Sequence, residues 1–130
     1  MDEAKTIQFL VKEHRLEKDV LDSINSIFDV SVETVNFRVK DSLGFLQFME
    51  YNAKDFGQVA IVSFPSNIIL DICEEEFIKK LATLLNTSIL LQPDDDENEE
   101  NPWALAFPNN PVLEKVYVDF LDDGIDIRKD

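Results

Sequence analysis

The clearest periodicity in the chain lies at Phe77, Ile78, Leu81, Leu84 and Leu85, which recur at i, i+1, i+4, i+7 and i+8. That spacing predicts a helix with one buried stripe. Glu74, Glu75 and Glu76 stand where a helix dipole favours negative charge, and Lys79 and Lys80 come later. Asp71 with Glu74 fits an N-cap and N3 capping pair, while Leu70 continues the stripe if the helix begins near Asn67. Nearer the N-terminus, Ile7, Leu10 and Val11, then Val20, Leu21, Ile24, Ile27 and Phe28, follow helical spacing with a phase shift around His14 to Leu16. Two short helices or one kinked helix are expected there.

Elsewhere the period is two. Val35, Phe37 and Val39 alternate with Asn36, Arg38 and Lys40, the pattern of a strand with one wet face. The stretches "FLQFMEY" and "QVAIVSF" are nearly apolar on both faces and are separated by the turn-forming "NAKDFG", so they read as two inner strands of a meander that Pro65 ends. "SILLQ" and "WALAF" flank residues 93–102 as the arms of a hairpin with a long tip. A long strand "VLEKVYVDFL" then runs to Asp122-Asp123-Gly124. The expected fold is a single α+β domain over residues 1–130: an antiparallel sheet of about five or six strands, helices packed on one face, and an acidic exposed loop at 93–102. A sheet face left partly open by the helices is the natural place for a partner or a small ligand.

Composition adds a function class to this outline. The 130 residues are 45% hydrophobic and include ten phenylalanines, enough apolar material for one core. Yet the formal net charge is -15, so the charge must be carried on a folded surface. Residues 1–65 hold 11 acids and 7 bases and residues 66–130 hold 16 acids and 5 bases, so the second half supplies most of the field. Such a surface repels nucleic-acid phosphates and anionic lipid and steers cationic partners toward itself. Direct binding of nucleic acid or membrane is therefore not expected, and a basic protein partner is. Cys73, the one cysteine, excludes an internal disulfide framework, and no apolar run approaches the roughly 20 residues of a membrane span. With no basic-then-apolar leader at the N-terminus, a cytoplasmic setting is the expectation.

The run "QPDDDENEENP" places Asp94, Asp95, Asp96, Glu97, Glu99 and Glu100 in seven positions between two prolines. An EF-hand loop needs a glycine at its sixth position and alternate oxygen ligands, which this run lacks, so no metal site is expected. A solvated loop, a docking surface for a basic protein, and imitation of nucleic acid remain open. Mimicry requires carboxylates spread along a rigid surface at a density near one charge per about 1.7 Å. Asp119, Asp122, Asp123 and Asp126, with Glu74 to Glu76, are the further carboxylates that would extend an acidic patch.

Trp103 follows the acidic run directly. It is either a core residue at a strand start or, if exposed, an aromatic anchor inside an acidic rim, which Tyr51 and Phe56 would extend. In "VDFLDDGIDI" the Asp-Asp-Gly reads first as a turn between two short strands, with Gly124 supplying positive φ. A carboxylate-only active site would need Asp119, Asp122 and Asp123 to converge with Glu114 or Asp126. His14 reads as a polar helix-end residue and Cys73 as a half-buried structural thiol. No phosphate-binding glycine loop and no nucleophile elbow occurs, so neither an enzyme nor a cofactor is expected.

In size, charge and the apolar-then-acidic close "VYVDFLDDGIDI", the chain resembles the small acidic immunity proteins of bacterial toxin systems. The resemblance implies an inhibitor that masks the basic active site of a nuclease-type toxin. The partner-binding residues expected are Asp94, Asp95, Asp96, Glu97, Glu99, Glu100, Trp103, Asp119, Asp122 and Asp123. Two other readings stay open: a nucleic-acid-mimicking inhibitor of a DNA-binding enzyme, and an adaptor that binds peptide on an open sheet face.

Overall fold

Ile7, Phe9 and Val11 project to one side of an extended backbone and Leu10 to the other, and both sides are covered. The first apolar run is thus a strand, β1 (Lys5–Val11), where a helix was expected. A strand buried on both faces carries an apolar run whose short-range spacing matches a helix equally well. The computed structural model describes residues 5–93, 102–122 and 124–129.

β1 lies inside the sheet between β4 (Gln58–Phe64) and β5 (Ile89–Leu91), antiparallel to both. Beyond β4 come β3 (Gly44–Glu50) and the two-residue β2 (Val32–Glu33). Beyond β5 come β6 (Trp103–Ala106), β7 (Glu114–Leu121) and β8 (Gly124–Arg128). The expected five or six antiparallel strands are corrected to eight in a mixed sheet, because β2 and β3 run parallel. β1 and β8 are the additional strands, and β2 replaces the one expected at Val35 to Val39.

That replacement has a local cause. The Asn25 side chain accepts the Val32 N–H at 2.8 Å and donates to the Val32 carbonyl at 2.9 Å, pinning the chain beside β3. Next, the Thr34 hydroxyl accepts the Phe37 N–H and the Glu33 carboxylate accepts the Val39 N–H. Side chains that capture backbone donors in this way compete with a strand ladder, and Val35 ends up exposed. At Gly44 an added Cβ would lie 2.6 Å from a Phe64 ring carbon, so only glycine lets β3 approach so closely.

Two helices, α1 (Glu17–Ile27) and α2 (Glu74–Leu85), cover one face, as the apolar stripes require. From α1, Val20, Leu21 and Ile24 are buried, and from α2, Phe77, Ile78, Leu81, Ala82 and Leu85. Leu84 sits at the stripe's edge and stays exposed. The N-cap of α2 is Cys73, with no side-chain cap, so the Asp71 capping pair is not formed and Glu74 opens the helix. Phe28 stacks on Phe77 at 4.6 Å, and Phe9 and Phe64 meet this pair edge-on. The far end of α2 is closed by Arg15, whose guanidinium donates to the Leu85 and Asn86 carbonyls. A cation there satisfies orphan carbonyls and opposes the negative end of the helix.

The expected hairpin around the acidic run is present, with Ile89 opposite Ala106 and Leu91 opposite Ala104. Of the expected Asp-Asp-Gly turn, Asp122 follows β7 in a turn and Gly124, at φ 148, opens β8, while Asp123 lies outside the described residues. β7 begins beside β6, then its second half pairs with β8 and crosses the sheet face that the helices leave open. A Cβ at Gly124 would touch Ala53, so this hairpin reaches the β3–β4 loop.

Candidate functional site

The hairpin β7–β8 lays Val116, Val118, Ile125 and Ile127 over Leu10, Val59, Leu90 and Leu105, making a second and smaller apolar cluster. Strand alternation fixes this arrangement: Val118 faces Ile127 and Phe120 faces Ile125 across the hairpin, while Tyr117, Asp119, Asp126 and Arg128 point outward. The cover is incomplete. Between the hairpin tip and the outer face of β3 and β4 lies a cleft of about 380 Å³, lined by Gln8, Met49, Tyr51, Phe120, Leu121 and Asp122 among others.

Phe120 is 70% exposed, Tyr51 61% and Leu121 54%, although each borders apolar neighbours. Large side chains left half-covered at a concave site are the composition of a contact surface. A wider groove beside α2 also exists, lined by Lys79, Thr83, Asn109 and Pro111. There, however, Lys79 donates to the Pro111 carbonyl and Thr83 accepts the Asn109 N–H, so its polar groups already hold the β6–β7 loop.

Of the residues expected to bind a partner, Trp103 is half-buried and meets the Phe120 ring edge-on at 6.0 Å. It is neither a full core residue nor a bare anchor, and it buttresses the cleft. Asp122 lines the cleft and is exposed. Asp119 lies on the hairpin's outward face and accepts from Arg128 at 2.6 Å, an ion pair that takes up part of its charge. Asp94, Asp95, Asp96, Glu97, Glu99, Glu100 and Asp123 lie outside the described residues. The two bases of the acidic run are placed, though: Gln92 donates its N–H to the carbonyl of Gln8, which lines the cleft, and Trp103 touches Phe120.

Phe56 and Tyr51, expected to extend the patch, both line the cleft, Phe56 buried in its wall and Tyr51 exposed. Sequence reasoning missed Phe120, Leu121 and Met49. The one available signal was Phe120 and Leu121 side by side before the turn, because a strand with one dry face should not carry adjacent apolar residues. Cys73 is exposed, which corrects the half-buried thiol. His14 lies between β1 and α1 and pairs with Glu50 at 3.1 Å. Glu50 in turn accepts from Gln58, a buried side chain whose amide also accepts the Arg15 N–H and donates to the Arg15 carbonyl. That network anchors the β1–α1 corner.

The carboxylates of the catalytic alternative are spread out: Glu114 pairs with Lys129 and Asp119 with Arg128, and of the described ones only Asp122 lines the cleft. Among the described residues no group of three or more His, Cys, Asp or Glu is arranged to hold a metal. Two carboxyls do shift. Asp29 is held above its ordinary range by a hydrogen bond with Asp71, by partial desolvation and by the charge of Asp71. Glu33 is lowered, chiefly by the Val39 N–H it accepts, and further by Ser42 and Arg38. Both lie outside the cleft lining. No helix among the described residues is long and apolar enough to cross a membrane. Comparison with protein-family models, curated proteins and solved structures finds no match to this chain.

Proposed function

We propose that this protein binds and neutralises a basic protein partner, which seats apolar side chains in the cleft under the β7–β8 hairpin. The observation that carries the reading is the exposure of Tyr51, Phe120 and Leu121 around that cleft in a chain of net charge -15. Aromatic and aliphatic contacts supply affinity at the centre of such an interface, and acidic groups steer the encounter. Gln92, bonded to the Gln8 carbonyl, and Trp103, against the Phe120 ring, bring described sequence neighbours of the acidic run close to the cleft. A toxin-neutralising role of the immunity-protein kind is the form favoured by the resemblance in size and charge. The open outer face of β3, where Phe45 and Gln47 are exposed, favours a second reading as an adaptor for an extended peptide.

The test is a pull-down from native lysate at low and high salt, with the bound proteins identified. The baits are the wild type, a variant with all six acids of residues 94–100 changed to Asn or Gln, and Phe120→Ser. A basic partner held by the wild type should associate more slowly with the neutralised variant, with a flatter salt dependence, and dissociate faster from Phe120→Ser. Retention of the same partner by both variants with unchanged rates would remove the site. Selective capture of DNA-binding enzymes that duplex DNA displaces would favour the mimic instead.

A further inference from the structure

β8 is paired along one side only. Its register with β7 runs from Gly124 opposite Leu121 to Arg128 opposite Tyr117, and among the described residues no strand lies on its other side. Proteins that leave such an edge unused blunt it with proline, charged side chains, a bulge or a very short strand. The opposite end of the sheet follows that rule, since β2 has two residues. β8 is longer, at five residues, regularly paired and without proline, and the charges it carries are Asp126 and Arg128.

The charges along the hairpin are unbalanced in a specific way. Asp119 and Asp126 face each other directly across the two strands, an arrangement that destabilises a sheet. Arg128 relieves Asp119, but Asp126 has no ion-pair partner among the described residues. A cation arriving beside β8 would complete the set. A second copy of this chain, at net charge -15, would bring more repulsion instead.

We infer that β8 receives an extended lysine- or arginine-rich segment of a protein partner as an added strand, with one apolar side chain of that segment filling the cleft against Phe120 and Tyr51. This deepens the function proposed above and rests on it. Main-chain hydrogen bonds along β8 supply affinity, and the cleft, opening beside Ile125, supplies specificity.

The probe is a short synthetic peptide of alternating lysine and valine with one central phenylalanine, compared with a peptide of the same charge in which prolines replace the valines. Amide exchange at Ile125 to Ile127, the fluorescence of Trp103 and the dissociation constant are measured at low salt on the full chain. The first peptide should slow exchange along β8 and bind more tightly than the second by about tenfold or more, since each lost main-chain bond costs about fivefold. Asp126→Asn and Leu121→Lys should both weaken it, and each substitutes an exposed side chain, so the fold is retained. Equal affinity for the two peptides, or unchanged exchange at Ile125 to Ile127, would overturn strand addition while leaving electrostatic docking intact. If neither peptide binds but the lysate partner is still captured, strand addition fails alone; if no basic partner is captured, the broader reading fails with it.

Discussion

The two faces of one sheet are covered differently. On the helical face, Phe9, Phe28, Phe64 and Phe77 interlock with Ile24, Leu46, Leu81 and Ile89 in a cluster closed to solvent. On the other, a two-stranded hairpin lies over Leu10, Leu90 and Leu105 and leaves Phe120 and Leu121 standing half in water. A helix presents a broad apolar stripe and seals what it covers. A hairpin offers a narrow ribbon whose every second side chain faces away. The first face is therefore where stability resides, and the second is where the molecule has surface left for contact.

Substitutions should separate these roles. Phe77→Ala removes a fully buried ring touching both Phe9 and Phe28 and should cost about 3–5 kcal/mol. Chemical denaturation measures it; a midpoint shift no larger than that of a surface change would contradict the closed core. Gln58→Leu should follow at about 1–3 kcal/mol, because it removes a buried amide and strands the part-buried backbone groups of Arg15 and a hydrogen bond of Glu50. Phe120→Ser, on the incomplete face, should change stability by at most about 1 kcal/mol, yet it should weaken partner binding. A large loss of stability there would mean that the hairpin belongs to the core as firmly as the helices do.

The smallest effect concerns pH. Because the folded-state pKa of Asp29 is raised, the native protein holds a proton there that the unfolded chain releases first. Its contribution is full at low pH and declines as pH rises above the ordinary carboxylate value of about 4. Asp29→Asn should therefore be slightly stabilising near neutrality, with the difference from wild type vanishing in acid. Thermal denaturation across that range would show it, and a difference independent of pH would remove the Asp29–Asp71 contact as its source.

Periodicity along the chain specified α2, the hairpin arms β5 and β6, and the turn at Gly124, since each rests on contacts between near neighbours. Composition likewise fixed the acidity of the surface. The strand identity of β1 depended on which elements came to lie on its two sides, and only the assembled sheet decides that. The parallel pairing of β2 depended on Asn25 reaching Val32, a contact between elements that no repeat encodes. The cleft was least legible. Phe120 has the apolar character of a core residue, and its exposure follows from where the hairpin crosses the sheet. A side chain's chemistry is written in the sequence, but whether it meets protein or water is set by distant parts of the chain folding against it.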